Sequence, residues 1–125
     1  MDTTKQSNRI IDLVNAVNIL IKWRAETTEI CDTLKISKEL FMDVINERVE
    51  NVELNTDQLT RIGYIICTQH KLTSLFCTPE FTYTFMSKEY NTPFFSGRSP
   101  LDVLLKGCLQ DMEKVYKNVD SVALK

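Results

Sequence analysis

The sequence predicts an all-α fold: a compact bundle of about six to seven short helices whose N-terminal half is laid out like a helix-turn-helix. Two observations carry this. Apolar residues recur every three or four positions in one stretch after another, and no run alternates apolar with polar residues long enough for a strand. Cap-forming residues also stand just ahead of those stretches: Ser37 before Lys38, Asn55 three places before Gln58, and Ser99 before Pro100. At 125 residues the chain is one compact unit, large enough to bury a core without a metal or disulfide staple.

In chain order, Ile10 to Trp23 holds ten apolar residues in fourteen, interrupted by Asp12, Asn15, Asn18 and Lys22, which fall on one polar stripe. This reads as a central core helix, too short to span a bilayer, with Trp23 packed at its end. Thr27 to Lys35 is a second short helix, and Ser37 caps a third, in which Leu40, Phe41, Val44 and Ile45 form the apolar face. Asn55 and Gln58 form a capping pair for a long helix reaching about Phe76, with Gly63 inside it for the close approach of another helix. Thr78-Pro79-Glu80 starts the next helix, whose Phe81, Tyr83 and Phe85 are expected in the core. Leu109, Met112, Val115, Tyr116, Val119 and Val122 then repeat at helical spacing to give the last.

Asn91 to Gly107 gathers Pro93, Gly97, Pro100 and Gly107, so that of the chain's three glycines and three prolines only Gly63 and Pro79 lie elsewhere. Each suits a backbone need. Gly97 loosens the loop, Ser99 caps, Pro100 fits a first helical turn and Gly107 ends the short helix. Phe94 and Phe95 read as the anchor that pins this loop to the core beneath it.

The charge balance, 15 basic against 17 acidic residues, leaves no global footprint for nucleic acid or an anionic membrane. Cys31, Cys67, Cys77 and Cys108 are too far apart for a zinc or redox pair and read as buried free thiols in a reducing cytoplasm. No N-terminal apolar run with a cleavage site is legible. His70, the single histidine, has no nucleophile at a recognisable spacing, and no cofactor or metal motif is present. The chain does not read as an enzyme.

The order Asn91, aromatics, then Gly97-Arg98-Ser99-Pro100-Leu101-Asp102-Val103-Leu104-Leu105-Lys106-Gly107 resembles the signature of the toxin-binding domain in antitoxins of the Xre/MbcA/ParS family. Trp23, the Leu34 to Ser37 turn and Leu72 to Pro79 extend the resemblance over most of the chain. It implies residues 1–54 as an Xre-like helix-turn-helix and dimerisation region and residues 55–125 as the toxin-binding domain. The implied function is that of a type II antitoxin that forms a homodimer, blocks a cognate toxin, commonly a RES-domain enzyme that consumes NAD, and autoregulates its operon.

Candidate toxin contacts are Arg98, Lys114, Tyr116, Lys117, Leu124 and Lys125: one long cation in the exposed loop, and the mixed face and tail of the last helix. The alternative function is a stand-alone helix-turn-helix regulator contacting DNA through Arg9, Arg24, Lys38 and Asn46. The charges oppose it. The outward positions of the third helix, Lys38, Glu39, Met42, Asp43, Asn46 and Glu47, hold one cation against three anions, a face that phosphates repel. Lys35 also stands where such turns commonly carry glycine.

Overall fold

The structure, a computed structural model, describes residues 3–76, 80–106 and 108–123. Within them the chain is all-helical: α1 (Thr3–Lys22), α2 (Thr27–Leu34), α3 (Lys38–Ile45), α4 (Thr56–Phe76), α5 (Glu80–Ser87), α6 (Pro100–Leu105) and α7 (Leu109–Ala123). Expectations placed on Cys77, Thr78, Pro79, Gly107, Leu124 and Lys125 lie outside the described residues. No described helix is long and apolar enough to cross a membrane.

The expected caps form. Ser37 Oγ accepts from the Leu40 amide at 3.0 Å, and Ser99 Oγ accepts from the Asp102 amide at 3.0 Å. Asn55 and Gln58 bond reciprocally: the Gln58 amide donates to Asn55 Oδ1 at 2.8 Å and the Asn55 amide to Gln58 Oε1 at 2.9 Å. Each satisfies backbone donors that a helix start leaves without partners, contributing about 1 kcal/mol.

The first three helices end without glycine. Arg24, Lys35 and Glu47 take left-handed conformations, with φ of 64°, 59° and 57°. The next amide in each case reaches back five residues: Ala25 to the Leu20 carbonyl, Ile36 to that of Cys31 and Arg48 to that of Asp43. These are Schellman closures built on charged residues, at a backbone cost of about 1 kcal/mol each that glycine would not carry. Lys35 thus adopts the geometry that glycine usually serves at the α2–α3 turn.

Helix α4 is the hub, packing against α1, α2, α5 and α7, while α6 packs on α2, α5 and α7. Leu13, Val17 and Leu20 of α1 and Trp23 just beyond it join Ile62, Ile65 and Leu72 of α4 and Met112, Val115 and Val119 of α7 in one core drawn from both halves of the chain. The central place expected for α1 therefore belongs to α4, and α1 leaves Ile11 and Ile21 on the surface. Gly63 was expected to admit a neighbouring helix, yet a Cβ built there meets nothing within 4 Å. Of the α5 aromatics only Phe85 is buried; Tyr83 lies half-buried under the Arg24 guanidinium, 4.3 Å from its ring centre, and Phe81 is 59% exposed. An eight-residue helix at the edge of the bundle buries one face only.

The loop before α6 is anchored as its aromatics predict. Phe95 is fully buried, set edge-on to Phe94 at 4.9 Å, and Tyr90 continues the ring contacts to Phe85 at 5.2 Å. Gly97, at φ 86°, donates its amide to the Tyr90 carbonyl at 2.7 Å, closing the loop through an isolated antiparallel bridge between Tyr90 and Arg98.

Candidate protein-binding groove

Helix α7 owes its register to Met112, Val115, Val119 and Val122, all buried. At 100° per residue this points Tyr116 sideways toward α4 and leaves Lys114 and Lys117 on the outer face. On α4, burial of Ile65, Thr68 and Leu72 leaves Cys67, His70 and Ser74 in solvent. Between the two helices lies an open groove of about 520 Å³, lined by Ile66, Cys67, His70, Lys71, Ser74, Leu75, Tyr116 and Asp120.

Lys71 fixes the wall of this groove. Its ammonium donates to the Tyr116 carbonyl at 2.7 Å, stands 4.1 Å from the centre of the Tyr116 ring and pairs with Asp120 Oδ2 at 3.6 Å. Tyr64 supports the same ring at 6.3 Å. One cation thus serves a carbonyl, a carboxylate and an aromatic face, and the ring stays at the mouth of the groove, half-buried. An aromatic held by packing loses little entropy when a partner covers it, the property that makes tyrosine an interface anchor.

The other predicted contacts within the described residues are dispersed. Lys117 is bonded to Glu113 Oε1 at 2.7 Å, and that carboxylate holds its ammonium pKa above the ordinary lysine value. Lys114 is exposed on the same outer face, its carbonyl accepting from Asn118 Nδ2 at 2.7 Å. Arg98 turns inward: Nη2 donates to the Phe94 carbonyl at 2.6 Å and Nε to that of Phe95 at 2.8 Å. Its fork closes its own loop instead of reaching out for a carboxylate. Among the described residues, Tyr116 is the only predicted contact that lines the groove.

The DNA candidates are spread over three places. Arg9 is half-buried on α1, and Arg24 ends that helix, stacked on Tyr83. Lys38 and Asn46 are exposed at opposite ends of α3, where Lys38 shares a shallow surface with Glu39, Met42 and Asp43. Sequence reasoning missed Lys71, which carries no local motif and gains its role from a residue 45 positions away.

No family model, no curated protein and no solved structure matches this chain.

Proposed function

We propose that the chain is a protein-binding module, the antitoxin of a type II toxin-antitoxin pair, which holds its toxin at the α4–α7 groove. The observation that carries this reading is Tyr116, an aromatic anchor fixed by Lys71 at the edge of an apolar groove. A docked partner surface blocks substrate access without any catalytic group on the antitoxin, as the resemblance to the Xre/MbcA/ParS family implies. The toxin implied is a RES-domain enzyme that consumes NAD, and the complex works in the cytoplasm. Homodimerisation belongs to the N-terminal helices, where Ile11, Ile21, Met42 and Ile45 are exposed apolar side chains on α1 and α3.

The second reading, a regulator that binds DNA alone or as part of autoregulation, is favoured by the tight α2–α3 turn that Lys35 permits. The anionic face of α3 ranks it second.

The test is co-expression with the product of the adjacent reading frame. On this reading that product arrests growth alone, is neutralised by this chain and purifies with it as a complex. If the two never associate while the chain alone footprints a specific operator at physiological salt, the second reading replaces the first.

A further inference from the structure

The outer face of α4 borders a second cavity, of about 380 Å³, where Asn15, Asn18, Ile19 and Lys22 of α1 face Ile66, Gln69, His70 and Thr73. The polar stripe that the sequence places on α1 is therefore one wall of a cleft. Ile66 and His70 line both cavities, so the two open onto one another over the exposed ridge of α4.

That ridge is low. Gly63, Cys67, His70 and Ser74 follow one another at spacings of four, three and four residues and so share one face. They run along roughly 16 Å of helix. Gly63 is unexplained by the fold: glycine within a helix is less favourable than alanine, and here a Cβ would meet nothing within 4 Å. What a glycine at this place allows is close approach of a backbone from outside.

We propose that α1, α4 and α7 form one trough that receives a single α-helix of a protein partner, a deepening that rests on the protein-binding reading above. A helix suits a floor in which Gly63, Cys67 and Ser74 are small and His70 alone stands up, between two helical walls, at the usual separation of about 8–10 Å between axes. Among the described residues no strand offers an edge to an extended peptide.

The walls specify the helix. On the α7 side, Ile66, Leu75 and the Tyr116 ring call for an apolar stripe, and Lys71 is already paired with Asp120. On the α1 side, Lys22 is exposed and makes no ion pair among the described residues. That edge takes a carboxylate for Lys22. The occupant is an amphipathic helix bearing Glu beside its apolar stripe.

The test uses the full-length, isotope-labelled chain and two helical peptides of about five turns, identical in apolar stripe, one edged with Glu and the other with Lys. The acidic peptide is expected to shift the amides of Asn18, Gly63 and Cys67 and to bind about tenfold more tightly. Lys22→Glu should reverse the preference. Gly63→Gln, which adds a good helix former into open space, should raise the thermal midpoint slightly and still weaken binding about tenfold. No binding, no preference between the peptides, or shifts confined to other helices overturns the trough.

Self-association that Gly63→Gln abolishes also overturns it, by giving the trough to a second copy of the chain. A complex with the neighbouring gene's product that survives both substitutions overturns the trough and leaves the antitoxin reading standing. If that product forms no complex, the antitoxin reading falls, and the peptides still decide the trough.

Discussion

Arg61 reaches across the bundle to Thr33. From α4 its Nη1 donates to the Thr33 carbonyl near the end of α2 at 3.2 Å, while Nε pairs with Asp57 at 3.1 Å and the guanidinium lies 3.9 Å from the Met112 sulfur of α7. One buried side chain thus ties the α2–α3 pair to the helices that form the groove. Arg61→Met should lower stability by about 2 kcal/mol, because the Thr33 carbonyl loses a charged donor in a buried place. Urea unfolding with an unchanged slope and a lower midpoint is the expected record; an unchanged midpoint would show the tie to be idle.

Two substitutions should raise stability by correcting where glycine stands. Gly63→Ala adds a methyl to open space on a helix and should contribute about 1 kcal/mol. Lys35→Gly relieves a left-handed residue while keeping the carbonyl that accepts from Gln58 Nε2 at 2.8 Å, and should contribute about 0.5–1 kcal/mol. Calorimetry reads both as upward shifts of a few degrees. A lower midpoint for Lys35→Gly would mean that the lysine side chain matters more than its backbone angle.

These ends explain what was legible in the sequence. The starts of α3, α4 and α6 were readable because Ser37, Asn55, Gln58 and Ser99 act on amides three residues away, a local chemistry with few side chains able to perform it, whereas α1, expected from Ile10, begins at Thr3 with no such signal. The ends of α1 and α2 fall within a residue of the Trp23 and Lys35 that periodicity marks, but their closures were not legible: Arg24, Lys35 and Glu47 replace the usual glycine, and the backbone bonds of Ala25, Ile36 and Arg48 hold the chain there. Burial of Trp23 and Phe95 followed from apolar bulk. The groove was half legible: Tyr116 stood out on α7, but its support by Lys71 and the cleft beside Lys22 depend on how α1, α4 and α7 come together.

The loop before α6 gives a third prediction. Arg98→Lys keeps the charge but cannot bridge the Phe94 and Phe95 carbonyls with one fork, and should cost about 1–2 kcal/mol. Ser99→Ala should cost about 1 kcal/mol through the lost cap. Partner affinity should be unaffected by Ser99→Ala at temperatures where the variant is folded. Lost affinity with an unchanged thermal midpoint would instead make this loop a contact surface.

The thiols were expected to be buried, and two of the described three are not. Cys67 and Cys108 are exposed, whereas burial, reinforced by Asp32 and opposed by Lys38, raises the Cys31 pKa above its ordinary value of 9.0. A folded-state pKa above the unfolded one means that the unfolded chain releases its proton first as pH rises. The Cys31 contribution is therefore complete below pH 9 and is lost as pH climbs through the folded value. Mass-resolved alkylation at neutral pH should mark Cys67 and Cys108 well before Cys31; equal rates would contradict the burial.

The central claim is that Tyr116 anchors a partner in the α4–α7 groove. It is tested most directly by titrating the purified product of the adjacent reading frame with the wild-type chain and with Tyr116→Ala, both checked for folding by their thermal midpoints. A hot-spot aromatic predicts a loss of at least 2 kcal/mol, about thirtyfold in Kd, while Lys117→Ala, on the outer face, changes affinity little. Unchanged affinity for folded Tyr116→Ala, or a larger loss from Lys117→Ala, would contradict the account.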